Sequence, residues 1–235
     1  MKKLYLTILY SLTAIIIVST ILVRLFNGSL DLKKGSVDCN GISEININMT
    51  FGEVEITYGS DYSIRYEYLN HEPEIKVEND IVTIDYNYSK EGLKKEEVKI
   101  YITVISDVIV NKVNVNCNVI DLDIEGCLID TLKIDSKVCD IDLKKSNINS
   151  ITMVNDVSNV NIKSTQFNTL NFESKVCNLD ITSFAFEEYN YNITCDSGSI
   201  KVNGDNYLKE YVKANGALKD VIIKCKVSNI EIEKN

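Results

Sequence analysis

A segment of eight residues recurs with a period of 19 in the second half of the chain. It is Ser-Lys-Val-Cys-Asp-Ile-Asp-Leu at residues 136–143, and related segments occupy residues 155–162 and 174–181. Apolar and polar residues alternate in each copy. A fixed period near 20 residues with this alternation is typical of a stacked β-solenoid, in which each repeat forms one coil. The sequence therefore predicts an all-β protein built around a parallel, β-helix-like solenoid with coils of about 19–21 residues.

Each coil is predicted to contain two short strands, the second following the first by 9–11 residues. The first set comprises Leu122/Ile124, Ile141/Leu143, Val160/Ile162, Leu179/Ile181, Ile200/Val202 and Val221/Ile223. The second set comprises Val113/Val115, Leu132/Ile134, Ile151/Met153, Leu170/Phe172, Tyr189/Tyr191, Tyr211 and Ile230/Ile232. Each buried apolar side chain contributes about 1.5–3 kcal/mol, whereas ordering the backbone costs about 1–2 kcal/mol per residue. One coil cannot be stable alone, so neighbouring coils must share their burial.

The chain before the solenoid divides by its hydrophobic pattern. Residues 42–110 contain several runs with apolar residues at every second position, which predicts a β-sheet region preceding the solenoid at 111–235. Residues 24–41 carry glycine and serine with little periodicity and are predicted to form a stalk.

Residues 4–23 contain no charged side chain and are flanked by lysines and an arginine. Twenty residues at about 1.5 Å each cross the hydrocarbon core of a bilayer, so a transmembrane helix that acts as an uncleaved signal-anchor is predicted. A cleaved signal peptide is the alternative, but the apolar run is long and no small-residue cleavage site follows it. Residues 1–3 would be a cytoplasmic stub. We therefore expect a single-pass protein of the cell membrane with most of its chain extracytoplasmic.

Charge and cysteine content exclude several classes of ligand. The net charge of −9 argues against a nucleic-acid partner, whose phosphates require a basic surface. Seven cysteines cannot all pair within one chain, none occurs as Cys-x-x-Cys, and the chain has one histidine. A structural zinc site is therefore not expected, and no cofactor is predicted.

A ladder of acidic and amide side chains recurs beside the apolar positions. Its members are Asp121, Asp140, Asn159, Asn178, Ser199 and Asp220, with Asp123, Asp142, Asn161 and Asp180 beside them. Stacked carboxylates could hold calcium or contact a sugar, but a hydrated outer face is the favoured interpretation. The glycine-rich repeat of calcium-binding β-rolls is missing. Both arginines of the chain, Arg24 and Arg65, precede the solenoid, which disfavours a polysaccharide-cleaving site.

The remaining candidate residues favour structural roles. Cys139 and Cys177 occupy equivalent positions two coils apart, too far for a disulfide, and are predicted to be buried free thiols. His71 lies in a turn-like segment, where an exposed imidazole is ordinary. A tyrosine-rich group is expected to pack in the core with hydroxyls reaching solvent, a contact surface being the alternative. It comprises Tyr58, Tyr62, Tyr66, Tyr68, Tyr86 and Tyr88.

Four segments resemble the repeated Ser-Gly-Asp-(Val/Ile)-x-(Val/Ile) unit of the bacterial β-strand-repeat "putative adhesin" family. They are Phe51–Ile56, Cys139–Leu143, Cys177–Ile181 and Ser197–Val202, and the resemblance covers about residues 42–232. Glycine is kept at Gly52 and Gly198. At the other positions of this glycine the chain has cysteine or serine, namely Cys139, Ser158, Cys177 and Ser228. The resemblance implies an N-terminal membrane segment or signal, a β-solenoid and a role in the cell envelope, and it supplies no catalytic residues.

Together these features predict a non-enzymatic, membrane-anchored extracytoplasmic β-solenoid that acts as an adhesin or as an envelope scaffold or binding protein. No catalytic, cofactor-binding or metal-binding residue is assigned. The expected partners are the membrane itself and an envelope protein or a glycan. Two alternatives stay open: a polysaccharide-active enzyme built on a β-helix, and a regulatory or sensor partner of a membrane protein in envelope stress response.

Overall fold

The computed structural model describes residues 32–88, 96–183 and 185–234. The predicted cytoplasmic stub, the transmembrane helix at 4–23 and the first part of the stalk lie outside the described residues. Within the described ranges, no helix has the length and apolar content needed to cross a membrane.

The described chain consists almost entirely of strands joined into one sheet. The strands are β1 (Lys33–Val37), β2 (Glu44–Gly59), β3 (Ser63–Tyr68), β4 (Glu74–Glu78), β5 (Ile81–Tyr86), β6 (Val98–Ile105), β7 (Ile109–Glu125), β8 (Leu128–Lys144), β9 (Asn147–Lys163), β10 (Gln166–Ser183), β11 (Tyr189–Val202), β12 (Asp205–Tyr207), β13 (Glu210–Lys213) and β14 (Lys219–Lys234). A short 3₁₀ turn at Phe186–Glu188 precedes β11. Along the main path the spatial order is β1-β3-β6-β2-β7-β8-β9-β10-β14-β11-β12.

Strands β7 to β10 pair in parallel, each with the strand 19 residues further along the chain. Asn147 begins β9 only three residues after Lys144 ends β8, yet it pairs with Leu128 at the start of β8. The two ends of β8 must therefore meet. Gly126 N–H donates to the Lys144 carbonyl at 3.0 Å, and Asn147 N–H donates to the Cys127 carbonyl at 2.9 Å. Each long strand is one coil, and the predicted all-β class with parallel stacking is confirmed.

The coils bend where the in-and-out alternation is interrupted. In β8 the successive residues Asp130 and Thr131 are both outside the core, and so are Lys137 and Val138. A third turn follows at Lys145, whose φ is +49°. Each coil is therefore one bent strand with three turns, rather than two separate short strands.

Inward side chains stack in columns that run through all the coils. The column containing Ile151 also holds Ile45, Val113, Leu132, Leu170 and Val221, all of them buried. Each apolar side chain thus contacts equivalents above and below, which is how a narrow core acquires enough buried area to be stable.

The N-terminal end of the solenoid is closed by shorter strands. β2 is itself a coil paired to β7, and its other edge is covered by β5 along residues 44–49 and by β6 along residues 53–59. Antiparallel β4 and β3 then cover β5 and β6, and β1 pairs with β3. The predicted boundary between residues 110 and 111 falls inside β7, so the two predicted regions share one sheet.

Residues 33–37 belong to this sheet as β1 and do not form part of a stalk. The reason is a close approach that the sequence alone does not reveal. A Cβ atom at Gly35 would lie 2.1 Å from the Tyr66 ring. Glycine at this position lets the strand lie directly over the tyrosine and pair with β3.

The C-terminal end departs from the predicted order of coils. After β11 the chain turns back as β12 and β13, which pair antiparallel along the outer edge of β11. Only then does it form β14, which is inserted between β10 and β11. The prediction that Val221/Ile223 continue the first set of strands is wrong. Ile230 stands between Leu179 and Ile200, whereas Val221 stands beside Leu170.

Candidate binding surface

The outward positions on one side of the solenoid form a polar surface, here called the acid–amide face. Two adjacent columns cross seven strands, from β2 through β7, β8, β9, β10 and β14 to β11. The first column contains Glu53, Asp121, Asp140, Asn159, Asn178, Asn229 and Ser199. The second contains Glu55, Asp123, Asp142, Asn161, Asp180, Glu231 and Lys201. Neighbouring strands lie about 4.8 Å apart, so the columns are about 29 Å long.

Side chains in the first column are joined by a hydrogen-bonded ladder. Asn159 Nδ2 donates to Asp140 Oδ1 at 2.8 Å, and Asn178 Nδ2 donates to Asn159 Oδ1 at 2.9 Å. Asn229 Nδ2 donates to Asn178 Oδ1 at 3.0 Å, and Ser199 Oγ donates to Asn229 Oδ1 at 2.7 Å. The ladder fixes these side chains, so a ligand meets a pre-organised row of polar groups.

The predicted ladder is confirmed from Asp121 to Asn178 and at Ser199, but Asp220 is not part of it. Asp220 pairs with Thr169 and Asn190 and accepts a hydrogen bond from Asn190 Nδ2 at 3.0 Å. Its place is taken by Asn229, because β14 enters the sheet between β10 and β11.

The end of the face formed by β2, β7 and β8 is strongly acidic. It presents six carboxylates, two from each strand. Lys99 Nζ lies 2.7 Å from Glu53 Oε2, and Lys144 Nζ lies 2.7 Å from Asp142 Oδ2 and 3.7 Å from Asp123 Oδ1. Carboxylates therefore outnumber the ammonium groups that contact them, and this end attracts cations.

At this end of the face, the pKa values of two neighbouring aspartates are shifted in opposite directions. Burial raises the pKa of Asp123; Lys144 opposes this, while the carboxylates of Asp142, Glu53 and Asp140 add to it. Burial also acts to raise the pKa of Asp142, but hydrogen bonds from Lys144 and Asn161 prevail and lower it. The charged form of Asp123 is therefore disfavoured in the folded chain, first by burial and then by the neighbouring carboxylates, whereas hydrogen bonds from Lys144 and Asn161 favour the charged form of Asp142.

Replacing Asp123 by asparagine should stabilise the folded chain slightly at pH 7. The gain should stay below about 1 kcal/mol, because the carboxylate is half exposed and solvent screens it. The folded pKa lies above the unfolded value, so ionisation opposes folding at neutral pH and has no effect below the unfolded pKa of about 4. Urea unfolding at pH 7 and pH 3 should show the gain only at pH 7. Destabilisation at pH 7 would mean that the ion pair with Lys144 outweighs burial and the repulsion from neighbouring carboxylates.

An apolar strip borders the acid–amide face along the outer corner of the coils. It is formed by Val119, Val138, Val157, Val176 and Val227, which stack in register and are called the valine ridge. Val119 and Val138 are 48% and 42% exposed. Four of the five recur at the 19-residue period, so the ridge could have been predicted from the sequence.

A second cluster, of tyrosine and glutamate side chains, lies among the N-terminal strands. Tyr66 OH donates to Glu72 Oε1 at 2.5 Å, and Tyr86 OH donates to Glu96 Oε2 at 3.3 Å. The hydrogen bond to Glu72, followed by burial, raises the pKa of Tyr66 to about 12. Tyr66 and Tyr86 are buried as predicted, but their hydroxyl groups contact glutamates. Tyr58 is exposed.

His71 is paired, which its turn-like sequence does not indicate. Its Nδ1 lies 2.9 Å from Glu96 Oε1, and its ring lies 4.3 Å from the ring of Tyr88 between centroids. The Glu96 side chain is only 1% exposed. Burial acts to raise the pKa of Glu96, but hydrogen bonds from His71, Asn70 and Tyr86 lower it. The cluster joins the ends of β3, β5 and β6, so we assign it a structural role.

Cys139 and Cys177 are buried at equivalent positions, with Ser158 between them in the stack, as predicted. All seven cysteines are free thiols in this structure. Within the described part of the chain, no group of three or more histidine, cysteine, aspartate or glutamate side chains is placed to hold a metal ion.

Comparisons with known proteins give similarity in structure only. No protein-family model matches the chain, and no curated protein matches it. A "putative cell adhesion protein" from Clostridium sporogenes is 12% identical with a TM-score of 0.47, over 87% of this chain and 99% of that one. A "putative adhesin" from Bacteroides fragilis is 14% identical with a TM-score of 0.47, over 87% and 98%. A "putative lipid binding protein" from Parabacteroides distasonis is 8% identical with a TM-score of 0.28, over 88% and 98%. Sequence identities and TM-scores this low establish no shared ligand or activity.

Proposed function

We propose that the chain is a non-enzymatic binding module of a bacterial cell envelope, an adhesin or scaffold anchored through residues 4–23 with its solenoid outside the cytoplasm. The observation that carries the proposal is the acid–amide face. It is continuous over seven strands, it is held by a hydrogen-bonded ladder, and the valine ridge runs beside it. The resemblance of the repeats to β-strand-repeat adhesins agrees with this role.

The surface suits a protein partner that carries basic side chains. The six carboxylates from β2, β7 and β8 attract cationic groups and orient an approaching partner. The ladder further along offers amide groups for hydrogen bonding, and the valine ridge offers apolar area at the edge. Charge, hydrogen bonds and apolar contact in one strip are the components of a protein–protein interface. An anionic nucleic acid would be repelled by the same carboxylates.

The regular spacing of side chains on the face favours binding over glycoside hydrolysis. A hydrolase requires two carboxyl groups that converge on one bond, one of them protonated. On this face the side chains of neighbouring strands point outward in parallel, and the amides in the ladder are bonded to one another. We therefore assign these residues to recognition.

A charge-reversal experiment tests the proposal. The full-length chain, held in detergent, is immobilised and exposed first to oligolysine and then to solubilised envelope proteins. Asp121→Lys with Asp140→Lys should weaken binding of both probes roughly tenfold or more, because about 1.4 kcal/mol of attraction corresponds to tenfold in affinity. The matched control, Asp135→Lys with Glu173→Lys, makes the same change in charge at outward positions on another side of the coils. It should weaken binding by less than about threefold.

Two outcomes would contradict this reading of the face. Equal losses in the two double variants would show that net charge alone governs retention. Release of oligosaccharides from envelope glycans, abolished by Asp140→Asn, would support the polysaccharide-active alternative instead.

A further inference from the structure

Inside one corner of the solenoid, small polar and thiol side chains of neighbouring strands meet along a repeated diagonal. Ser158 Oγ of β9 lies 3.1 Å from Ser174 Oγ of β10. Cys177 Sγ of β10 lies 2.8 Å from Cys225 Sγ of β14. Ser228 Oγ of β14 donates to Cys195 Sγ of β11 at 2.8 Å. In register, Ser158 pairs with Cys177, Cys177 with Ser228, and Ser228 with Gly198. Each contact above is instead made with the residue three positions before that register partner.

The bend of the coil explains why residues offset by three positions meet. In an extended strand, three residues span about 10 Å. Here the two intervening residues, such as Lys175 and Val176, lie outside the core, so the chain folds around the corner. The inward side chains on either side of the bend converge. The same diagonal recurs in three consecutive strand pairs, so the contact between Cys177 and Cys225 follows from the architecture of the corner.

Among the coils described, only the pair β10 and β14 places a thiol at both ends of this diagonal. The corresponding pairs are Gly52 with Cys117, Ile120 with Ser136, Cys139 with Asn155, and the two pairs above that contain serine. Non-bonded carbon atoms pack at about 3.5–4.0 Å. Sulfur is larger than carbon, so two sulfur atoms 2.8 Å apart are closer than ordinary packing. A disulfide needs two sulfur atoms that approach one another from adjacent backbones, which this corner provides.

We propose that Cys177 and Cys225, which are free thiols in this structure, are oxidised to a disulfide that joins the inserted strand β14 to β10. For Cys177, this proposal replaces the prediction of a free thiol made from the sequence. The oxidant is a disulfide, either of low molecular weight or in a thiol–disulfide oxidoreductase. The Cys225 thiolate attacks one sulfur of the oxidant and releases one thiol, and the Cys177 thiolate then attacks Cys225 of the mixed disulfide and releases the second. The two cysteines lose two electrons and two protons in total, and the oxidant becomes two thiols.

The bond forms while the chain folds, before β14 is fully seated. In the folded chain Cys177 and Cys225 are 5% and 6% exposed, so an oxidant cannot reach them. The hydrogen-bonded contact with Cys225 and burial raise the pKa of the Cys177 thiol, so the reactive thiolate is scarce in the folded state. Once formed, the bond closes a loop between two residues 48 positions apart, which restricts the unfolded chain.

Peptide mapping after oxidative refolding tests the proposal. The full-length chain is refolded from urea in detergent with oxidised and reduced glutathione, and free thiols are then alkylated. Cleavage at Glu187 and Glu188 separates Cys177 from Cys195, so the partner of Cys225 can be assigned. We expect a peptide linking Cys177 to Cys225 and alkylation of the other five cysteines. Linkage of Cys225 to Cys195, or alkylation of all seven in a folded chain, would overturn the proposal.

Thermal unfolding provides a second measurement. Oxidation should raise the midpoint by roughly 10 °C, as expected for closing a loop of this length in a chain of this size. Cys177→Ser and Cys225→Ser should each abolish the rise, whereas Cys139→Ser, at the equivalent position on β8, should keep it. Serine occurs at equivalent positions in Ser158, Ser174 and Ser228, so these variants fit the corner. The same rise in all three variants would contradict the assigned pair.

Discussion

Replacing Ile151 by aspartate should prevent folding or lower the free energy of unfolding by more than about 4 kcal/mol. Ile151 is 0% exposed and lies between Leu132 and Leu170 in a column of buried apolar side chains. A carboxylate there would have no hydrogen-bond donor or cation within the column, and burying an unpaired charge is among the most costly changes a core can undergo. Because the coils share their burial, the damage should extend to β8 and β10 as well as β9.

The matched control introduces the same charge one residue later. Thr152 is on the outer surface of β9, in register with Lys133. Thr152→Asp should change the free energy of unfolding by less than about 1 kcal/mol, because the new carboxylate is hydrated and faces a lysine. Urea unfolding followed by circular dichroism measures both variants. Similar losses in the two would mean that the inward and outward faces of β9 are assigned wrongly, since a slip of one residue exchanges them.

The coils from β7 to β10 could be predicted because two periods coincide in the sequence. Alternation at every second residue assigns each side chain to the core or the surface, and the 19-residue repeat superposes successive coils. Leu122, Ile141, Val160 and Leu179 therefore stack as expected. The acid–amide face follows from the same reasoning, because Asp121, Asp140, Asn159 and Asn178 share that period.

The position of β14 could not be predicted, because alternation does not specify which strand a given strand pairs with. The 21-residue step from Leu179 to Ile200 is compatible with one more coil, yet Leu179 pairs with Ile230, 51 positions away. This choice depends on β12 and β13 covering the outer edge of β11, a contact that no local pattern encodes. The assignment of Asp220 to the ladder is wrong for the same reason.

The tyrosine–glutamate cluster was missed for a different physical reason. Glu72 and Glu96 lie outside the regular strands, where a period of two carries no information about side-chain direction. They meet Tyr66 and Tyr86 only because β3, β5 and β6 end close together. Contacts of this kind depend on the tertiary arrangement of loops and are not encoded in any one segment.

Ending the chain at Leu218 should release β11, β12 and β13 even though their residues are retained. β11 is joined to the rest of the sheet through β14, which pairs with β10 on one side and with β11 on the other. Without β14, the hydrogen bonds on both sides are lost, and buried side chains such as Tyr191 and Ile193 lose their neighbours Val221 and Ile223. The coils from β7 to β9 keep both of their neighbours and should stay folded.

Hydrogen exchange measured by mass spectrometry distinguishes this topology from a sequential solenoid. In the truncated chain, amides of residues 189–213 should exchange at least about a hundredfold faster than in the full chain, because local stability falls by several kcal/mol. Amides of residues 109–163 should keep their protection. A synthetic peptide of residues 219–235 should restore protection to residues 189–202 by occupying the vacant place between β10 and β11, and a scrambled peptide should not. If residues 189–202 stayed protected in the truncated chain without peptide, β11 would pair directly with β10, and the insertion of β14 would not be required for the fold.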